Sequence, residues 1–370
     1  MMEIKRRQFL GWMVAIPALS MCKVNLADAN ADETQAPLLF ASASEVSKGE
    51  YYLHLLTETG EEKLRHRLPD RAHQVISHPR KPWLFAIARR PGTFIEVMDY
   101  QTGTLIKRVT CAAGYHLYGH AQITKDGRYL LTSEKSPTSL QGRIVVRDLY
   151  DQFRIIGEYS TGGIGPHEFR LTDDQQTLVV ANGGILTDGR DKLNVETMQP
   201  SLAYIALKSG LLEEQVSLPE KYHQCGIRHI DISAQGDVII AMQYEGNIAD
   251  QVPLIAHHKH GQPITALDIP LDIFGRMKQY CGSACIDSSG QFAAVSAPKG
   301  DMITLWNLQT KQYIGHIGAK DGCGLARTQQ TGEFVVTTGA GKLYTIQSQT
   351  LSRHAVNHSD ALWDNHLTLI

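Results

Sequence analysis

A phrase of two β runs that recurs along the chain constrains the fold more than any other feature of the sequence. Each copy has a short run of β-forming residues, a polar turn and a second β run, such as Tyr129–Glu134 or Val238–Gln243. Successive copies start between 41 residues (325 to 366) and 62 residues (167 to 229) apart. Repeats of this length, built from β pairs, are typical of the four-stranded blades of a β-propeller. The copies start at His73, His120, His167, His229, Ser283, Leu325 and His366.

The two ends of the chain predict how the ring of blades closes. The seventh copy, His366–Ile370, stops after one strand, whereas three strand-like runs near the start have no leading partner: Leu38–Ser42, Tyr51–Leu56 and Glu62–Leu68. Pairing the last strand with these three completes a mixed blade and removes an exposed sheet edge. We therefore predict an all-β chain in which residues 38–370 form a single seven-bladed β-propeller. A two-domain α/β protein would need long helical periodicities, which the sequence lacks.

The first 31 residues resemble an export signal of the twin-arginine type. The arginine pair at positions 6–7 precedes Phe9 and a short apolar run, Gly11–Met21, and small-residue cleavage sites follow within Ala27–Ala31. The apolar run is too short to span a bilayer. We expect a periplasmic protein without a transmembrane domain. A lipoprotein anchored at Cys22 is the less favoured alternative, because methionine before the cysteine fits a lipobox poorly.

Composition argues against several classes of function. The 36 Lys and Arg residues nearly balance the 38 Asp and Glu residues, so the chain shows no basic footprint for nucleic acid. The five cysteines beyond the leader are odd in number, and their spacings specify neither a disulfide framework nor a paired CxxC zinc site. The sequence has no Gly-x-Ser-x-Gly elbow, which leaves nucleophilic catalysis with little support.

Histidine occupies the start of the inner strand in five of the seven repeats. Because the inner strand of each blade lines the central channel, we expect these side chains to converge at one channel mouth: His73, His120, His167, His229 and His366. The ends of the second strands and the neighbours of these histidines should lie at the same mouth. They supply the candidate ligand-binding residues Glu134, Glu168, Asn182, Arg228 and Gln243.

The chemistry of this set favours a metal or a metal-bearing ligand. Neutral imidazole binds iron, copper and zinc, and Glu134 and Glu168 would add oxygen ligands. In this hypothesis Arg228 holds an anionic group, while Asn182 and Gln243 orient the ligand or its neighbours. A single histidine at such a position more often caps a turn, but five at equivalent positions indicate a functional pocket. Two alternatives stay open: an enzyme (a hydrolase or a metal-dependent oxidoreductase) that uses the same mouth, and a protein-docking scaffold.

Longer segments carry a family resemblance: Tyr118–His120, Gly163–Glu168, Ala181–Ile185, Lys192–Asn194, Glu196–Met198, Pro200–Leu202, Arg228–His229, Gln243–Gly246, Asp321–Gly324 and Trp363–His366. They resemble the DUF1513 family of exported bacterial propellers with YVTN/WD-like repeats, over the whole mature chain. The resemblance implies no established activity. Genes of the family often lie near those for imelysin-like and di-haem oxidoreductase-like periplasmic proteins. It therefore implies these proteins as partners, and an accessory role in iron or other metal uptake; we expect a monomer.

Overall fold

Seven four-stranded antiparallel sheets make up the computed structural model, which describes residues 37–370 except 189–190. The predicted export signal, residues 1–31, lies outside the described residues. Within the described part of the chain, no helix is long and apolar enough to cross a membrane. The seven sheets confirm the predicted all-β, seven-bladed propeller.

The strands follow the repeat of the sequence, and blades are numbered here in chain order of their inner strands. The first three strands belong to the closing blade 7: β1 (Leu39–Ser47), β2 (Glu50–Thr57) and β3 (Glu62–Leu68). Blade 1 contains β4 (Ala72–Ser77), β5 (Trp83–Ala88), β6 (Phe94–Asp99) and β7 (Thr104–Thr110). Blade 2 contains β8 (His116–Ile123), β9 (Tyr129–Lys135), β10 (Arg143–Asp148) and β11 (Arg154–Ser160).

Blade 3 differs from the others by an inserted hairpin. Its main sheet is β12 (Pro166–Leu171), β13 (Thr177–Asn182), β16 (Ser201–Ala206) and β17 (Leu212–Val216), and the hairpin between its second and third strands is β14 (Thr187–Asp188) with β15 (Asp191–Lys192). Blade 4 contains β18 (Cys225–Ile232), β19 (Asp237–Tyr244), β20 (Ile255–Lys259) and β21 (Thr265–Ala266).

The remaining blades complete the ring. Blade 5 contains β22 (Ser283–Ile286), β23 (Phe292–Ala297), β24 (Met302–Asn307) and β25 (Gln312–Gly318). Blade 6 contains β26 (Gly322–Arg327), β27 (Glu333–Thr338), β28 (Lys342–Gln347) and β29 (Ser352–His358), and β30 (Leu362–Leu369) is the inner strand of blade 7. The helical segments are short: α1 (Leu271–Met277) and 3₁₀ turns at Val195–Thr197, Glu220–Tyr222 and Pro298–Gly300.

The last strand closes the ring as predicted. β30 pairs antiparallel with β1, from Phe40 opposite Leu369 to Glu45 opposite Leu362. The Ser42 hydroxyl also donates a hydrogen bond of 2.7 Å to the carbonyl oxygen of His366. The inner edge of β1 is thereby paired, so β1 itself has no unpaired edge.

Burial follows the position of each strand within its blade. The inner and middle strands are buried on both faces because neighbouring blades pack against them, as β5 and β24 show. The outer strands are mostly exposed, as in β7 and β11. The apolar core therefore lies between adjacent blades, and polar side chains of the inner strands face the channel.

β-bulges interrupt the inner strands at the histidines. The pairing register shifts at His73 in β4, at residues 118–120 in β8, at 167–168 in β12, at Arg228 in β18 and at 364–366 in β30. A bulge changes the direction in which side chains project. Several histidines consequently lie inside their strands, since β8 begins before His120 and β18 before His229.

Candidate metal centre

The five repeat histidines come together inside the channel. Centroids of their imidazole rings lie between 4.6 and 6.4 Å apart in nine of the ring pairs. The ring of His120 lies 4.7 Å from that of His366, 4.9 Å from those of His73 and His167, and 5.7 Å from that of His229. The convergence predicted from the repeat is thus present in the structure.

The cluster lies deeper than the predicted open mouth. His120 and His229 are each 1% exposed, and His73 and His366 are 4% and 5% exposed. His167 alone among the five is half-buried, which places it nearest to solvent. The sequence analysis predicted the histidines at strand starts and at the channel mouth. In the structure β8 and β18 begin before their histidines, and the cluster is buried in the channel.

Two histidine triads have the spacing of metal ligands. One ligand atom from each of His73, His120 and His167 lies within 4.8 Å of the other two, and the same holds for His120, His229 and His366. Several ring nitrogens of the cluster are buried and make no hydrogen bond to any described residue, namely both nitrogens of His120, Nδ1 of His167 and Nε2 of His366. Buried polar atoms are normally paired. Unpaired nitrogens facing one another therefore fit a bound cation.

Burial keeps most of these imidazoles neutral. Burial, followed by repulsion from neighbouring histidines, lowers the pKa of His120 and of His167 well below the usual value. The same causes, burial first and then His73, lower the pKa of His366. Burial also lowers the pKa of His73, although Asp364 opposes this effect. Neutral imidazole binds one metal ion through its unprotonated nitrogen, so no imidazolium proton has to leave before a first ion binds.

Glu168 joins the cluster as a charged support. Its Oε2 accepts hydrogen bonds from the Ile230 backbone N–H (3.2 Å) and from Nδ1 of His229 (3.1 Å). Arg170 lies 2.7 Å from Oε1. Burial alone raises the pKa of Glu168, but the charge of Arg170 and the bond from His229 outweigh it and lower the pKa to about 2. This carboxylate orients His229 and leaves its Nε2 free.

Asp364 supports His73 in the same way, and the sequence analysis did not select it. Its Oδ1 lies 3.0 Å from Nδ1 of His73, while its Oδ2 accepts a bond of 2.5 Å from Arg71. Arg89 lies 3.4 Å from both oxygens. Burial opposes ionisation, but the bond with His73 and the nearby charges hold the pKa of Asp364 well below its usual range. The sequence signal was a carboxylate two residues before a cluster histidine.

Three of the predicted ligand-binding residues are held elsewhere. Glu134 pairs with Arg147 at 2.6 Å and with Arg143 at 3.3 Å. The Asn182 amide donates to the carbonyl oxygen of Thr161 (2.8 Å), and the Gln243 amide donates to that of Cys281 (3.0 Å). The structure gives none of these side chains a contact with the histidine rings. Their hydrogen bonds fit a role in packing of the blades.

Arg228 lies at the solvent side of the cluster. Its guanidinium is 3.3 Å from Glu245, which also pairs with Lys192 of the inserted hairpin. The charges of Arg228 and Arg90 help to lower the pKa of His167, after burial and the effect of His229. The hairpin of blade 3 and the connection after β19 thus contact each other through Lys192 and Glu245.

A cavity of about 680 Å³ opens at the opposite end of the channel. It is lined by the later residues of the seven inner strands and by the turns that follow them. Arg170 reaches from this cavity toward the histidines, because its guanidinium contacts both Asp231 (3.2 Å) and Glu168 (2.7 Å). The histidine cluster therefore lies between the buried Arg228–Glu245 ion pair and a polar cavity.

The cysteines do not contribute to this site. The five described cysteines are free, and four of them are buried. Cys323 donates weak hydrogen bonds to the carbonyl oxygens of Thr337, Trp363 and Asp364. Burial, followed by the charges of Asp321 and Asp364, raises the pKa of its thiol. A protonated, hydrogen-bonded thiol is a packing group and a poor nucleophile.

Comparison with known proteins places the chain in a family. A search of curated protein sequences found no match. A solved structure described as Kuenenia stuttgartiensis hydrazine synthase is similar, with a TM-score of 0.59 and 12% sequence identity over 85% of this chain and 94% of that chain. This likeness concerns the fold alone. The family model "Protein of unknown function (DUF1513)" matches residues 66–370, and the chain therefore belongs to the DUF1513 family.

Proposed function

We propose that this propeller binds a transition metal in its histidine cluster and serves as a periplasmic accessory protein of metal uptake. The observation that carries the proposal is the pair of histidine triads, each with three ligand atoms within 4.8 Å of one another. Zinc or copper bound in the cluster would be coordinated by neutral imidazole nitrogens, and iron would accept the same ligands. The buried carboxylates of Glu168 and Asp364 would fix two of the rings.

The surroundings of the cluster favour binding over catalysis. Its donors lie on inner strands that each pair with the next strand of their blade and pack against neighbouring blades, and their supports are themselves charged and buried. Such rigidity suits a protein that holds or presents a metal. The periplasmic location rests on the twin-arginine signal, and the proposed partners, imelysin-like and di-haem oxidoreductase-like proteins, rest on the resemblance to the family.

Metal titration tests this proposal directly. Full-length protein stripped with a chelator is titrated with Zn²⁺ or Cu²⁺ in the presence of a competing chromogenic chelator, and bound metal is counted by elemental analysis after desalting. We expect tight binding by the wild type. A double variant, His73→Asn with His366→Asn, removes one ligand from each triad and should weaken binding at least tenfold.

A matched control separates the cluster from adventitious binding by other histidines. His354 lies exposed on the outer strand β29, and His354→Asn should bind metal as the wild type does. Wild-type protein that takes up no metal would overturn the proposal, as would a double variant that binds metal as tightly as the wild type.

A further inference from the structure

The two triads share one residue, His120. We propose that the cluster holds two metal ions and that the imidazolate of His120 bridges them, one metal at each ring nitrogen. The inference rests on the proposed function and specifies its stoichiometry and geometry. One ion would be held by His73, His120 and His167, and the other by His120, His229 and His366.

The environment of His120 singles it out from the other four rings. It is 1% exposed, and neither Nδ1 nor Nε2 has a hydrogen-bond partner among the described residues. Glu168 Oε1 lies 3.8 Å from Nδ1, which is beyond hydrogen-bond distance. A neutral imidazole needs an acceptor for one nitrogen and a donor or cation for the other. A metal on each side satisfies both nitrogens at once.

The outer ligands have a matching arrangement on the two sides. In one triad Asp364 bonds Nδ1 of His73, and in the other Glu168 bonds Nδ1 of His229. Each carboxylate leaves Nε2 of its histidine as the donor to metal. Because carboxylate-bonded histidines are a common support of metal ligands, each half of the cluster has its own supporting anion.

The distances allow three-nitrogen coordination with small movements. A nitrogen ligand lies about 2.0–2.1 Å from zinc, so two nitrogens on one tetrahedral ion are about 3.4 Å apart. The nitrogens of each triad lie within 4.8 Å of one another, so binding requires them to approach by no more than about 1.4 Å, through rotation of the rings. Three protein ligands leave each tetrahedral ion one open position for water or another ligand.

The bridged state requires one proton to leave and positive charge to be offset. Each divalent ion brings two positive charges, and His120 gives up its remaining ring proton to solvent to become an anion. Glu168 and Asp364 are ionised and buried beside the cluster. The imidazolate offsets one of the four added charges. Glu168 and Asp364 already pair with arginines, so anions from solvent at the open positions would supply the rest. Loading two ions therefore releases one proton from His120.

Copper loading and electron paramagnetic resonance test the bridge. Metal-stripped full-length protein is loaded with Cu²⁺, desalted and analysed for copper per chain and for spins per copper. We expect two copper ions per wild-type chain. Their spins should be coupled through the bridge, so that the resonance signal accounts for far fewer than two spins per chain. His354→Asn serves as the matched control and should give the same result.

Single variants separate the two halves. His73→Asn and His366→Asn should each retain one copper with one full, uncoupled spin, whereas His120→Asn should lose the coupling and at least one copper. One copper per wild-type chain, or two copper ions with uncoupled spins in the wild type, would overturn the bridge while leaving the proposed function intact. Wild-type protein that binds neither copper nor zinc would overturn the proposed function itself, and one that binds zinc alone would overturn only the copper bridge. Wild-type stoichiometry and coupling decide the matter even if a variant does not fold.

Discussion

Two buried carboxylates of this propeller, Asp364 and Glu134, have different partners and therefore different roles. Asp364 contacts His73 of the cluster as well as Arg71 and Arg89, both of which reach solvent. Glu134 instead contacts Arg147, which is 2% exposed, and Arg143. Neutralising Asp364 leaves solvated arginines, whereas neutralising Glu134 leaves a buried, unbalanced guanidinium.

We therefore predict opposite effects of two matched amide substitutions. Asp364→Asn should weaken metal binding about 10–100-fold, the usual cost of removing a support of a ligand histidine. Glu134→Gln should leave metal affinity unchanged and lower the free energy of unfolding by about 3–5 kcal/mol, because a broken buried pair leaves one charge uncompensated. Chelator competition and denaturant unfolding measure the two quantities.

The reverse pattern would assign Glu134 to the metal site. Loss of metal affinity in Glu134→Gln, with unchanged stability, would restore the hypothesis from sequence that this residue is a ligand. A further double variant, Glu134→Leu with Arg147→Met, provides a check, because an apolar pair of similar volume often recovers the stability of a buried ion pair.

At the scale of elements, β30 has two roles. It is the inner strand of blade 7, paired with β1, and it carries His366 and Asp364 through its bulge. Thr368 also donates a bond of 2.6 Å from its hydroxyl to the carbonyl oxygen of Val75 in blade 1. Ring closure and assembly of the cluster therefore depend on the same eight residues of the chain.

A chain that ends after Ser359 should lose both the closure of the ring and the histidine cluster. Without β30 the edge of β1 is unpaired, which favours association with other chains. We expect broader thermal unfolding, oligomers in size-exclusion chromatography and loss of metal binding. A synthetic peptide of residues 360–370 added in trans should restore the monomer and its unfolding transition. A truncated chain that stays monomeric and melts as the full chain does would contradict this role of β30.

At the scale of the whole molecule, buried histidines outside the cluster make the fold sensitive to acid. His258 is fully buried, with Nδ1 2.7 Å from the Tyr204 hydroxyl and Nε2 2.6 Å from the carbonyl oxygen of Gln262. Burial lowers its pKa below the ordinary 6.5, although the bond to Gln262 and the charge of Glu214 act in the other direction. Burial likewise lowers the pKa of three other buried histidines outside the cluster, His54, His78 and His257, and of the half-buried His116.

The sign of the resulting pH dependence follows from linkage. Below about pH 6.5 the unfolded chain binds protons that these folded histidines do not, so stability falls as the pH is lowered. We expect the melting temperature of metal-free protein to decrease from pH 7 to pH 5. The melting temperature of the His258→Gln variant, whose amide cannot titrate, should decrease less over the same range. An equal decrease in wild type and variant would show that His258 contributes nothing to the acid sensitivity.

The sequence by itself determined the number of blades, the closing strand and the five histidines that share one channel. These features depend on strand periodicity and repeat spacing, which are local properties of the chain. The bulges, the depth of the cluster and the partners of its carboxylates were decided by the tertiary structure. Asp364 meets His73 across 291 positions of sequence, and Arg147 meets Glu134 across two strands of blade 2. Such pairs form only when the packed blades exclude water, because each buried charge then needs an oppositely charged side chain that the fold places beside it.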